Sequence, residues 1–354
     1  MKILVRAPNW IGDAVMAIPA LEAIRAARAD AEIAILAQLG VADVYRGQPF
    51  ADRMMVYARR GEHAGFWGRE RLIRGLRRER FDCAVLLQNA FEAAWIAWRA
   101  GIPERIGYAR DARSLLLTKA IRVPAAGEIP AHESHYYLEL LRRAGWISAR
   151  PDAGAIVLRI DKAAGDAAEA SLIKFGLRKG AMRCAMAPSA AYGSAKCWLP
   201  ERYAAVADRL ISEHDADVIF FGGAGEEEIG EKIQSAMRGR AISLVGKTRV
   251  SELAPLLSRC SVFLGNDSGA MHVAAAVGLP VVGIFGPTEP EGTSPVTPQF
   301  TLIREPVSCS PCFLRKCPID HRCMTRIEAD RVFRAVSGCL MAAESSRLGS
   351  RKNA

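Results

Sequence analysis

Residues 265–290 read GNDSGAMHVAAAVGLPVVGIFGPTEP. The apolar run Ser261 to Leu264 before them predicts a strand, and Asp267, Ser268 and Gly269 predict the loop that ends it. The small residues after Gly269, with His272 among them, predict a helix. Gly278 and Pro280 then turn the chain into a second buried strand, VVGIF, which ends at Gly286, Pro287 and Thr288. Apolar runs alternating with small-residue helices indicate parallel strands joined by crossovers. Ligands of such sheets sit beyond the carboxyl ends of the strands, where loops meet helix N-termini. Free N–H groups and the positive helix end favour an anion there. The stretch therefore reads as half of a nucleotide or sugar-nucleotide site.

The same alternation fills the chain. Strands are expected at Lys2 to Ala7, Glu32 to Ala37 and Asp82 to Gln88, with a helix from Ala14 to Arg28. After a loose segment, 146–165, a second series begins. Strands are expected at Met182 to Ala187, Asp217 to Gly222, Ser261 to Leu264 and Val281 to Phe285. Helices are expected at Glu201 to Glu213, Gly225 to Met237 and Glu328 to Ala342. With 354 residues, two domains are the natural division. We expect an α/β protein of two Rossmann-like domains facing a central cleft, 1–155 and 156–327, then a terminal helix, 328–344, and a disordered tail, 345–354.

Composition narrows the function. Half the residues are apolar and 24% are charged, as in a globular protein. No apolar run reaches the roughly 18 residues of a spanning helix, and Asn9, Gly12 and Asp13 interrupt any signal-like start. A cytoplasmic protein without a transmembrane segment is expected. The net charge is +10, and Arg59, Arg60, Arg69, Arg71, Arg74, Arg77, Arg78 and Arg80 crowd one segment. That run is either a solvated helix face or a contact for a polyanion. It lacks the interleaved aromatics that stack bases, so a lipid surface or phosphorylated acceptor suits it better than nucleic acid.

Five elements carry candidate chemistry. Asp13 follows the first strand, where it suits a helix N-cap or a base accepting a hydroxyl proton. Its loop lacks G-x-G-x-x-G, so no dinucleotide cofactor is expected, nor any other. Ser189 and Lys196 lie in a loop of small residues that lets a diphosphate approach; Lys196 is either a phosphate contact or a solvated charge. Glu226, Glu227 and Glu228 follow Gly222, Gly223 and Gly225, and suit ribose hydroxyls or simply the helix dipole. His272 is a structural histidine or a phosphate donor. Cys309, Cys312, Cys317 and Cys323, with His321 among them, are dense enough for a structural Zn²⁺. Their spacing does not repeat a C-x2-C pair, and reduced thiols are the other reading. No metal is assigned to the chemistry.

Three segments together resemble the ADP-heptose:lipopolysaccharide heptosyltransferases of glycosyltransferase family 9. They are MKILVRAPNWIGDAVMAIPAL (1–21), APSAAYGSAKCWLPERYAAVA (187–207) and GNDSGAMHVAAAVGLPVVGIFGPTEPEGTSP (265–295). The resemblance implies a GT-B fold and an inverting, metal-independent transfer. The donor would be ADP-heptose. The acceptor would be the first heptose of a lipid A-core (heptosyl-Kdo2-lipid A) at the cytosolic face of the inner membrane, with the enzyme peripheral there. Asp13 would be the base and Lys196 would neutralise the leaving diphosphate. Trp10 and Gly12 would stand with Asp13 as substrate contacts. Ser189, Asp267, Ser268, Gly269, Met271 and His272 would hold diphosphate and sugar. Glu228, or Glu226 if the alignment slips, would bind adenosine hydroxyls, and Thr248 would line the adenine pocket. Three alternatives stay open: a family 9 enzyme with another acceptor, an inactive sugar-nucleotide-binding module, and a zinc-dependent nucleic-acid-binding protein.

Overall fold

The computed structural model describes residues 1–151 and 154–352, with side chains to residue 345. The chain divides into two compact units, Met1–Ile156 and Val157–Ala354. In the first, six strands form one parallel sheet: β1 (Lys2–Arg6), β2 (Glu32–Ala37), β3 (Arg53–Val56), β4 (Cys83–Leu86), β5 (Glu104–Tyr108) and β6 (Lys119–Ile121). Their order is β3-β2-β1-β4-β5-β6. In the second unit the strands are β7 (Arg183–Ala187), β8 (Asp217–Phe220), β9 (Ile242–Ser243), β10 (Val262–Asn266), β11 (Val281–Phe285) and β12 (Phe300–Arg304). They run parallel in the order β12-β11-β10-β7-β8-β9.

Both orders are the doubly wound one. Connections leave the first strand in one direction and later reverse, so a crevice opens between the first and fourth strands of each sheet. Those pairs are β1/β4 and β7/β10. The central strands show why the sheets are covered on both faces. IAIL in β2, CAVL in β4 and VVGIF in β11 are continuous buried runs without polar alternation. Helices supply the cover. Gly65–Glu79 buries Leu72, Ile73 and Leu76 on the first sheet, and the C-terminal helix buries Val332, Phe333 and Val336 in the second core. Among the described residues, no helix is long and apolar enough to cross a membrane.

Two expectations need correction. The helix foreseen from Ala14 to Arg28 is two helices, Ile11–Met16 and Ile18–Ala27. Pro19 lies in the first turn of the second, where its missing N–H is no loss. The last helix is Ala329–Lys352, so the backbone is helical through most of the expected tail; residues 353–354 lie outside the described ones. No proline interrupts that stretch.

Candidate functional site

In the first unit, Arg6 ends β1 with its side chain buried. Its guanidinium donates to Ala7 O at 2.6 Å, Leu36 O at 3.3 Å and Asn9 Oδ1 at 2.7 Å. It thereby fixes the loop leading to Trp10. Burial lowers its pKa to about 10. The helix Ile11–Met16 begins at Trp10, which is its N-cap and is 49% exposed. Asp13 is thus in the first turn and is not the cap, which corrects the cap reading. The helix starts three residues earlier than the polar string suggested. A first-turn carboxylate still gains from the helix dipole.

The surroundings of Asp13 are unusual. Glu133, in the first turn of the helix Glu133–Arg143, has its carboxyl pushed up to about 7. Burial is the main cause, the charge of Asp13 the next, and a hydrogen bond with Tyr137 opposes them. The buried phenols of Tyr45 and Tyr137 are pushed well up by burial and then by Asp13. Three acids whose pKa values are raised therefore stand near one carboxylate. Tyr45 also donates to Ala14 O at 2.6 Å, tying the Asp13 helix down.

At the end of β4, the fully buried Arg113 donates to Tyr108 O and Asn89 Oδ1, each at 3.0 Å, and to Gln88 O. Asn89 Nδ2 donates to the Tyr136 hydroxyl at 3.1 Å, and Arg110 reaches the same oxygen at 3.5 Å. Asn89, after β4, Arg110, after β5, and Tyr136 of the helix Glu133–Arg143 thus form one polar cluster; none was singled out from sequence.

In the second unit, the loops after β7, β10 and β11 converge. Lys196 Nζ lies 2.5 Å from Asp267 Oδ2, and Thr288 Oγ1 donates to the same oxygen at 2.7 Å. The side chains of Lys196 and Asp267 are only 12% and 6% exposed. Asn266 braces the junction. Its Oδ1 accepts from Trp198 N and the Tyr203 hydroxyl, each at 3.1 Å, and its Nδ2 donates to Pro188 O at 2.7 Å. Ser268 stands at the N-cap position of the helix Gly269–Ala276 without a side-chain capping bond, and its buried Oγ has no hydrogen-bond partner among the described residues. An unsatisfied hydroxyl beside free helix N–H groups is an arrangement that an anion completes.

Ser189 Oγ donates to Glu226 Oε2 at 2.6 Å, and Gly223 N donates to the same oxygen at 2.6 Å. Glu226 therefore stands at the strand ends with Ser189. Glu228 instead lies on the outer face of its helix, 80% exposed and paired with Lys232 at 2.7 Å. With Lys232, Cys197 and His321 it borders a depression of about 290 Å³. Thr248 is half-buried in the turn after β9. Met271 is wholly buried, its sulfur close to Gly283 of β11, so its side chain packs in the core. Two positions past Gly269, the helix turns it inward. His272 is also buried, at 4% exposure.

The cysteine segment packs over the Lys196 loop. Ala195 N donates to Arg315 O at 3.0 Å, His321 Nε2 lies 2.8 Å from Ala195 O, and the Tyr192 hydroxyl donates to Phe313 O at 2.6 Å. Gly193 has φ +154°, and a Cβ there would fall 2.3 Å from Arg315 O, so only glycine fits. The Tyr192 ring has Lys196 Nζ at 4.9 Å and Arg315 Cζ at 5.2 Å. Arg315 is a second cation beside Lys196 that sequence reasoning missed. Cys309 and Cys312 are exposed, while Cys323 is buried, its thiol pushed up to about 11 by burial and then by the other three. Among the described residues, no three His, Cys, Asp or Glu side chains are grouped as a metal set.

Comparison with known proteins gives a consistent result. The sequence model of glycosyltransferase family 9 (heptosyltransferase) matches residues 69–322. The chain is 30% identical to lipooligosaccharide heptosyltransferase 2 of Haemophilus influenzae, covering 86% of this chain and 88% of that protein. It is 29% identical, with the same coverages, to lipopolysaccharide heptosyltransferase 2 of Escherichia coli. The solved structure of E. coli ADP-heptose LPS heptosyltransferase II matches with TM-score 0.82 and 27% identity, covering 97% of this chain and all of that one.

Proposed function

The chain belongs to glycosyltransferase family 9, and from that premise we propose that it transfers heptose from ADP-heptose to the first heptose of the lipopolysaccharide inner core. The observation that carries the donor side is the Lys196–Asp267–Thr288 cluster beside the unsatisfied Ser268 hydroxyl. Cations and free donors at strand ends suit a diphosphate.

In this reading the acceptor hydroxyl attacks the anomeric carbon as its bond to the ADP oxygen breaks, inverting the centre. Asp13 takes the hydroxyl proton. Lys196 stabilises the charge that grows on the leaving diphosphate. Ser268, Gly269 and His272 belong to the diphosphate and sugar contacts. Glu226, already beside Ser189, is the better candidate for the ribose hydroxyls than the outward Glu228. Thr248 stays with the adenine, and Trp10 and Gly12 with the acceptor. The arginine segment meets the membrane that carries the acceptor, and the enzyme is peripheral there without binding nucleic acid.

The test is ADP release from ADP-heptose, with Kdo2-lipid A and heptosyl-Kdo2-lipid A as parallel acceptors. Release with the heptosylated acceptor alone is expected. Release with Kdo2-lipid A, or with neither in a folded protein, sinks the assignment.

Glu133 adds a pH signature. A carboxyl raised to about 7 is neutral below that value and contributes stability that is lost as pH rises through it. Glu133→Gln mimics the neutral form. The native protein should therefore lose thermal stability relative to the variant as pH rises from about 4.5 to about 7, and the difference should level off above that. Its kcat/KM profile should bend near pH 7, where Glu133 ionises beside Asp13, and the bend should vanish in Glu133→Gln. A bend that persists in the variant assigns the titration elsewhere.

A further inference from the structure

The helix Gly65–Glu79 holds most of the arginine run. It turns Gly68, Leu72, Ile73 and Leu76 inward. On the opposite face, at spacings of four, three and four residues, stand Trp67, Arg71, Arg74 and Arg78, all exposed. These spacings place them in one stripe along the helix. Trp67 is 78% exposed and its neighbour Phe66 58%. Their rings meet edge to face, 5.3 Å between centroids.

A solvated face explains arginines but not two aromatic rings in water. The rings are also held in place. Gly65 starts the helix at φ +64°, and a Cβ on Gly68 would fall 2.4 Å from the His63 carbonyl carbon, so the first turn is clamped on the preceding loop. Nor are the cations of the stripe neutralised. Arg59 and Arg69 pair with Glu92, and Glu70 is taken by Arg99. Arg74 donates only to the Glu70 carbonyl, and among the described residues Arg60, Arg71 and Arg78 have no ion pair. A fixed aromatic pair at one end of an unneutralised cationic stripe complements a surface with anionic groups outside and an apolar layer beneath. Nucleic acid would match the charge, but one ring pair gives no spaced stacking platform.

We propose that this face seats the protein on an anionic bilayer. Arg71, Arg74 and Arg78 engage lipid phosphates, and Trp67 with Phe66 enters the boundary between headgroups and acyl chains. The inference deepens the membrane-surface reading given above and rests on it for its setting.

The test is co-sedimentation of the full chain with phosphatidylglycerol–phosphatidylcholine vesicles, free of lipopolysaccharide, against pure phosphatidylcholine. Binding to the anionic vesicles, released by salt, is expected. Joint replacement Arg71→Gln, Arg74→Gln and Arg78→Gln should weaken it on the order of 100-fold, each arginine near such a surface supplying a comparable share. Joint Phe66→Ala and Trp67→Ala should weaken it about 10-fold. Both variants should keep native turnover with a deacylated, water-soluble acceptor. Equal binding to neutral vesicles, or binding unmoved by both variants, overturns the proposal. So does a dimer in sedimentation that Trp67→Ala dissolves, because the face then belongs to a second copy. Vesicle binding needs no heptose, so a failed transfer assay leaves this test standing.

Discussion

Asp13→Asn lowers turnover by about 10²–10⁴-fold, with ADP binding retained. The substitution keeps the side-chain shape and removes its basicity. The fold should tolerate it, because Asp13 is not the cap of its helix and the dipole interaction it gives up is worth about 0.3–1 kcal/mol. A second readout separates the base from a merely structural carboxylate. Glu133 titrates near 7 partly because Asp13 is charged. Removing that charge must move the Glu133 titration to lower pH, visible in the pH dependence of stability. Turnover within a few-fold of native would refute the base assignment. A lost fold would show that Asp13 chiefly serves the packing of Tyr45 and Tyr137 around it.

The central strands and donor loops were legible because their signals are local. Apolar runs such as VVGIF stand between strings of Gly, Asp, Ser and Pro, and both β2 and β11 fall on the residues expected. Edge strands were not. β3 (RMMV), β6 (KAI) and β9 (IS) are short and partly exposed, and pairing with a neighbouring strand defines them. The site divides the same way. Lys196 and Asp267 lie in recognisable loops, and their 2.5 Å pairing is a product of adjacent strand ends, 71 residues apart in sequence. Glu133 could not be found, because nothing in HESHYY announces that the first turn of its helix lies near Asp13. Met271 shows the converse. A motif string marks a loop and a helix, but the helical phase decides which of its residues face the ligand side.

Lys196→Ala should cost both activity and stability, and the two losses can be separated. Lys196 and Asp267 are a nearly buried pair at 2.5 Å, with Thr288 on the same carboxylate oxygen. Removing the lysine leaves Asp267 uncompensated, at about 3 kcal/mol or more of folding stability. Losing a cation from the developing diphosphate charge should lower kcat/KM by about 10²–10³-fold. Lys196→Met combined with Asp267→Asn removes both charges. Replacing a whole buried pair by groups of similar size is often neutral for stability, so the double variant should recover much of the lost thermal stability. Its turnover should stay as low as that of Lys196→Ala, because the leaving group still lacks its cation. Recovery of turnover along with stability would mean that Lys196 serves only to neutralise Asp267. The leaving diphosphate would then depend on another cation, and Arg315, 5.2 Å from the same Tyr192 ring, would be the side chain to replace next.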